Sequence, residues 1–326
     1  MTTTQHLTYR LYQEDDLPGL LRLWEEESGW GSLTPEMWHQ WYVDTPYGPC
    51  LVVVAVDENG DIVGQEVFNP SSAIIGNQQV RALRISAPIL RKGLRRASLR
   101  NRNHPIIGLY DTAMDIAVKQ GYSLVYAVTR KDWLSFLKWE SRFTDIEYDC
   151  LASPLAPVLP ETLGEGTYLT ACTVTEFGRE YDALWQFARD TFPISFGVVR
   201  QSDVLRYKNG GHITLEVRDT RDNSLVGYTA TKKQSGLLVD ILARCPADIT
   251  PVLATTLNWF ASEQNKAAQE GITCLKAMET VVLRPALRAL NFTPVDYKFA
   301  LICNTLDPSL TVEAISLDRW YVTPGD

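Results

Sequence analysis

Part of this chain is written twice. Residues 41–68 read WYVDTPYGPCLVVVAVDENGDIVGQEVF, and residues 206–231 read RYKNGGHITLEVRDTRDNSLVGYTAT. Each passes through a break into an apolar strand, an acidic turn and a second apolar strand carrying one glycine, Gly64 or Gly227. Further on, Gly121 and Gly271 each stop a helix, and WLSFLKWESRF (133–143) aligns without a gap on VLRPALRALNF (282–292). Matched turns, helix stops and strands imply one supersecondary unit used twice. At 326 residues the chain also exceeds the usual single core.

Hydrophobic period and punctuation give the order of elements. In the first half a strand at Tyr9–Tyr12 precedes a helix at Leu17–Glu26 and a second helix capped by Thr34 with Pro35 at its first position. Strands follow at Leu51–Val56 and Ile62–Phe68 around the turn Asp57–Asp61, and a third lies within Gln78–Leu90. A helix is expected over about Ile107–Lys119, a strand at Leu124–Val128, a helix at Trp133–Glu140 and a strand at Ile146–Cys150. Pro154, Pro157, Pro160, Gly164 and Gly166 mark a linker, after which the order restarts at Tyr168 and ends in a strand at Tyr297–Cys303. The expected fold class is α+β: two tandem lobes, residues 1–152 and 167–326 joined by 153–166, each a mixed, mostly antiparallel sheet flanked by helices.

One stretch breaks the symmetry of the halves. Between Val67 and Tyr110 there is no Asp or Glu, yet Arg81, Arg84, Arg91, Lys92, Arg95, Arg96, Arg100 and Arg102 are present, in a chain of formal charge −8. Concentrated positive charge in an acidic protein, placed between a strand and a helix start, points to a discrete anionic partner such as a phosphate. The matching place in the second half, Cys245–Pro251, has no glycine and no base. The acidic total, and a basic run not interleaved with aromatics, argue against nucleic acid. The six Cys lie far apart with no CxxC pair, so neither a disulfide framework nor a metal site is expected. No apolar run approaches the roughly 18 residues of a membrane span, and MTTTQHLTYR lacks signal-peptide character. The expectation is a cytoplasmic protein with no membrane partner.

The order strand, helices, three antiparallel strands, loop into a long helix, strand, helix, strand resembles the GNAT acyltransferase superfamily. The resemblance spans nearly the whole chain twice. It implies that the third antiparallel strand splays from the strand after the long helix, with pantetheine in the gap and the coenzyme A pyrophosphate on the loop before the helix. That loop carries Arg/Gln-x-x-Gly-x-Gly/Ala in the family. Taking Gly108 as its first glycine puts Pro105 at the Arg position and Tyr110 at the second small residue. By resemblance the cofactor contacts are Ala87 and Ile89 on the splayed strand, then Arg100, Arg102, Asn103, His104, Ile107, Gly108, Leu109 and Tyr110. The family's frequent acid, a Tyr before Gly-Phe, is replaced by Lys138 and by Leu287. The ending Asp318–Asp326 also resembles tails of fused members of the family.

Acyl transfer to an amine needs a base for the ammonium, an acid for the leaving thiolate and a polarised carbonyl. Glu66 and His104 are the candidate bases, and Tyr126 and Tyr110 the candidate donors. Asp326 resembles the terminal carboxylate used as base in some fused GNAT aminoglycoside acetyltransferases. Each has a plainer reading: a strand-face charge for Glu66, a loop-fixing residue or phosphate contact for His104, a frayed tail for Asp326. Trp30, Trp38, Trp41 and Tyr42 either roof a cavity or pack a core. The expected function is acyl transfer from acyl-CoA, or from an acyl-phosphopantetheine carrier protein, to an amine of a small molecule or peptide. The alternative is a non-catalytic binding or scaffold protein.

Overall fold

The computed structural model of the chain describes residues 6–95, 104–131, 144–158, 168–311, 315 and 317–326. The expected helix at Trp133–Glu140, with Lys138, lies outside the described residues, as do Arg96, Arg100, Arg102 and Asn103.

In the first half β1 (Thr8–Leu11) leads to α1 (Leu17–Glu27) and α2 (Pro35–Trp38), whose first turn is capped by the Thr34 hydroxyl accepting from the Met37 N–H. Next come β2 (Leu51–Val56), β3 (Ile62–Ile75), β4 (Gln78–Leu90), α3 (Pro105–Lys119), β5 (Leu124–Arg130) and β6 (Thr144–Pro154). The second half runs β7 (Leu169–Thr173), α4 (Arg179–Thr191), β8 (Phe196–Val198), α5 (Ser202–Asn209), β9 (Ile213–Asp219), β10 (Leu225–Lys232) and β11 (Leu237–Ala243). It closes with α6 (Ile249–Ser262), α7 (Gln264–Gln269), β12 (Cys274–Met278), α8 (Arg284–Ala289), β13 (Thr293–Thr305) and β14 (Trp320–Tyr321).

Twelve of these strands form one path, β1-β2-β3-β4-β5-β13-β6-β12-β11-β10-β9-β7. Its two ends mirror each other: β1 to β5 from one side match β7, β9, β10, β11 and β12 from the other. At the centre each half gives its last strand away. β13 pairs with β5 (Leu301 opposite Val128), and β6 pairs with β12 (Leu151 opposite Ala277). The sheet therefore runs unbroken across the expected boundary. The expected linker also begins too early, because Ser153 and Pro154 still pair with Leu275 and Cys274.

The repeat glycines occupy matching places. A Cβ at Gly64 would lie 2.7 Å from Leu90 and also meet Leu109 of α3. At Gly227 it would lie 2.5 Å from the Leu242 carbonyl oxygen and also meet Val252 of α6. Both glycines let the helix that follows the third strand of the triplet press onto the sheet. Gly121 and Gly271 each end a helix at positive φ, 76° and 71°.

Two strand readings needed correction. β3 runs seven residues past Phe68 through NPSSAII, a polar start that conceals a strand. Its extension pairs with β8, a three-residue strand too short to register in the sequence. α3 covers one face of the first-half sheet through Leu109, Ala113 and Ala117 against Phe68, Leu83 and Val125. α1 and α2 cover the other through Leu20, Trp24 and Trp38 against Val54 and Val67.

Candidate functional site

The parallel pairing of β4 with β5 covers only three positions, Ala82–Leu124, Leu83–Val125 and Arg84–Tyr126. Both strands continue, β4 to Leu90 and β5 to Arg130, so they diverge beyond Arg84 and Tyr126. β4 also bulges there. Its partner in β3 shifts register between Gln65 and Val67, Ala87 takes φ 46°, and the Gln65 Nε2 donates to the Ala87 carbonyl at 3.3 Å. Such a bulge turns backbone groups away from the ladder and re-aims the strand. Ala87 and Ile89 accordingly stand at the opening, and Gln65 is a supporting residue that the sequence reading missed.

Two cavities flank this divergence. The first, about 320 Å³, lies where Pro88, Ile89 and Leu90 of β4 meet His104 and Ile106 at the start of α3, under Trp30. His104 is the N-cap of α3, its Nδ1 accepting from the Ile106 N–H at 3.2 Å. Burial lowers its pKa, so the ring is neutral, and with Nδ1 accepting, the proton is on Nε2. That Nε2 is buried and has no hydrogen-bond partner among the described residues. His104 thus offers this cavity a hydrogen-bond donor rather than a base.

The neighbouring helix residues do something other than expected. Ile107, Leu109 and Tyr110 turn into the core, and Tyr110 packs tilted against Phe68 with ring centroids 6.2 Å apart. Tyr110 also accepts from Asn304 Nδ2 at 3.2 Å and lines neither cavity, so it is not the proton donor of either. Any part these three play at a ligand falls to their backbone. A Cβ on Gly108 would come 2.3 Å from Tyr9 Cζ, so this glycine makes room for a tyrosine ring, not for a phosphate. Glu66 is 2% exposed, and burial pushes its carboxyl up to about 8, but it lines neither cavity. Its candidacy as base fails on position.

The basic stretch divides. Arg91 faces Asp57 and Asp61, Arg95 pairs with Glu27 at 2.8 Å, and Arg81 donates to the Gln120 carbonyl and lies 4.2 Å from the Tyr122 ring centre. Arg84 has no hydrogen bond or ion pair among the described residues, and it lines the second cavity.

That second cavity, about 400 Å³, opens on the sheet face opposite α3. Asn69 and Ser71 of β3, Arg84 of β4 and Tyr126 of β5 supply one wall. The second half supplies the other: Tyr207, Lys208, His212, Lys232, Val239 and Asp326. Tyr126 donates to the Ser71 Oγ at 3.2 Å, and burial, with the charge of Asp326 next, pushes its hydroxyl up to about 12. It holds its proton at neutral pH. His212 is lowered by burial and by Lys232 and Lys208, and is neutral. His212 went unremarked in the sequence, where only its position after Gly210-Gly211 among four histidines set it apart. Of the aromatic group, Trp38 and Tyr42 are core, whereas Trp30 and Trp41, 56% and 38% exposed, border one cavity each.

Asp326 is no frayed end. Its carboxylate is buried and accepts from Arg200 Nη2 at 2.5 Å, Lys208 Nζ at 2.5 Å and the Thr323 N–H at 2.7 Å. Arg200 also donates to Asp240 at 3.0 Å. Against the penalty of burial, Lys208 and Arg200 hold Asp240 down to about 2. The side chain of Asp326 is therefore an anchor in a closed set of two cations and two anions, not a free base. The residues before it cover the second half's own divergence. β11 pairs with β12 only at Leu237–Lys276. Gly325 donates to the Val239 carbonyl at the β11 bulge, and Trp320 and Val322 pack with Met278 and Leu237.

No protein-family model and no curated protein sequence matches this chain. Solved structures do. An N-acetyltransferase related to GCN5 from Anabaena variabilis superposes with a TM-score of 0.64 at 11% identity, over 93% of this chain and 73% of that one. Its counterpart from Kribbella flavida gives 0.61 at 11%, over 93% and 72%. N-myristoyltransferase of Saccharomyces cerevisiae with bound myristoyl-CoA gives 0.58 at 11%, over 99% and 85%. The chain has the GNAT fold, and the neighbours that share it are N-acyltransferases. No helix among the described residues is long and apolar enough to cross a membrane, and no cluster of His, Cys, Asp or Glu among them could hold a metal ion.

Proposed function

We propose that the chain is a tandem two-lobe N-acyltransferase whose first lobe takes an acyl-phosphopantetheine donor, on coenzyme A or on a carrier protein, and whose second lobe completes the acceptor cleft. One observation carries this reading: β4 and β5 part beyond Arg84 and Tyr126, between a cavity at the start of α3 and a cavity on the opposite face. A thioester arm laid along the free edge of β4 from Leu90 toward Ala87 would bring its acyl group to the boundary of the two.

The residues present fit such a donor. The buried Nε2–H of His104 has no partner among the described residues and would meet a phosphate oxygen. Backbone groups at the Ala87 bulge are placed to polarise a carbonyl. In the second cavity Tyr126, protonated, donates a hydrogen bond to the leaving thiolate, whose own pKa of roughly 8.5 lets it depart without a full proton. His212, neutral, serves as the base that takes a proton from the incoming ammonium, directly or through water. The second lobe is the non-catalytic partner: Leu287, where the family has its tyrosine, is fully buried, and the tail covers the divergence.

The test is a calorimetric titration with coenzyme A and acetyl-CoA, followed by thioester consumption with pooled amines. Saturable binding, weakened about ten-fold by His104→Asn, supports the reading, since Asn keeps the helix cap but its shorter amide N–H stops short of the place of Nε2. Absence of binding would sink it. Binding without turnover over a broad amine set would favour the scaffold alternative.

A further inference from the structure

The second cavity also carries information about what enters it. Its charged side chains fall into two sets. Asp326 and Asp240, within it or behind it, are both bonded to Arg200 and Lys208. Two further cationic side chains stand outside that set. Arg84 and Lys232 both line the cavity, and neither side chain has a hydrogen bond or ion pair among the described residues.

Arg84 is the more telling of the two. It belongs to the last paired position before β4 and β5 part, directly beside Tyr126 in register, so its backbone is held by the sheet on both sides. Its charge is felt by the hydroxyls of Tyr42, Tyr126 and Tyr207, which lie near it. A half-buried guanidinium with five donors and no acceptor of its own is a ready fork for a planar or tetrahedral oxyanion. An ammonium brought near two uncompensated cations is disfavoured in its charged form, which helps His212 but penalises acceptors with several positive charges.

We infer that the acceptor is a small amine whose other end carries an oxyanion, carboxylate or phosphate, gripped by Arg84 with Lys232 adding charge at the rim. This rests on the proposed acyl transfer for the role of the cavity, though not for the binding itself. The position of Arg84 next to Tyr126 keeps the anionic group within a few bonds of the reacting nitrogen.

Matched amines test it: β-alanine against 3-aminopropanamide, O-phosphoethanolamine against 2-methoxyethylamine, and spermidine as a polycation. Equilibrium binding to the protein without donor reports on this inference, and thioester consumption with acetyl-CoA reports on acyl transfer. The anionic member of a pair should bind about ten-fold or more tightly than its neutral match, the yield of one charge-assisted pairing. Spermidine should bind least. The better of the two anionic amines identifies carboxylate or phosphate as the group recognised. Arg84→Met should erase the preference while changing the neutral amine's affinity less than about two-fold, and Lys232→Met, on the exposed rim, should reduce it about two- to three-fold. Neutral or cationic amines binding as tightly as anionic ones overturns the inference, as does a preference that survives Arg84→Met. Anionic preference without thioester consumption leaves the inference standing and removes the acyl-transfer reading. Turnover of neutral or cationic amines alone does the reverse.

Discussion

The two halves of the molecule build the same opening and treat it oppositely. In each, the third strand of an antiparallel triplet bulges and leaves its parallel neighbour after one to three paired positions. At the first opening the β4 edge from Ala87 to Leu90 borders a cavity, with the unpartnered His104 Nε2 beside it. At the second, the Val239 carbonyl is taken by Gly325, and Trp320, Val322 and Asp326 close over it. A sheet that can receive an extended arm is thus not enough to make a site. What covers the edge decides, and here the chain's own tail occupies one copy and, in doing so, walls the cavity beside the other.

The comparison can be broken most severely at the tail's anchor. Arg200→Met leaves Lys208 as the one cation bonded to the buried Asp240 and Asp326, and should lower unfolding free energy by about 3–5 kcal/mol. Denaturant titration would show it, and a loss below 1 kcal/mol would mean the tail is not locked. Next is the pH response of Glu66, whose carboxyl is raised by burial to about 8. The folded chain keeps that proton where the unfolded chain has released it, so its contribution is complete below the unfolded value near 4.3 and is lost as pH rises toward 8. Between pH 5 and pH 8 the wild type should lose on the order of 3 kcal/mol relative to Glu66→Gln. Parallel pH profiles would refute this burial effect.

The repeat glycines sharpen the comparison on a smaller scale. At Gly227 an added Cβ meets the Leu242 carbonyl oxygen at 2.5 Å, which is backbone and cannot yield; at Gly64 it meets the end of the Leu90 side chain at 2.7 Å. Gly227→Ala should therefore cost about 2–3 kcal/mol and Gly64→Ala about 1 kcal/mol. Equal costs would mean that the two helices do not bear on the sheet as the contacts imply. Smallest in its bearing on the site is Gly108→Ala. It should cost about 1–3 kcal/mol of stability by crowding Tyr9, recovered in part by Tyr9→Leu, with coenzyme affinity changed less than two-fold.

Much of the architecture was readable because the repeat repeats its punctuation: Gly64 and Gly227, Gly121 and Gly271, and the acidic turns are all where a shared unit needs them. The exchange of β6 and β13 was not readable, since each strand suits either neighbour and only the assembled sheet chooses. The site was half legible. Tyr126, Ala87, Ile89, His104 and Asp326 were named, but with His104 as a base and Asp326 as a free carboxylate, because capping geometry and a buried ion cluster depend on contacts distant in sequence. Gly108 looked like a phosphate glycine because spacing records where a glycine is and not which ring it accommodates. Arg84 was hidden among its paired neighbours, and His212 lay in the half that charge had set aside.

The central claim is that the first opening, and not the second, receives a phosphopantetheine arm. Hydrogen exchange with and without saturating coenzyme A tests it most directly. The account predicts slowed exchange at residues 85–95 and at the start of α3, with β11 and residues 320–326 unchanged. Protection confined to β11 and the tail, or none anywhere, would contradict it.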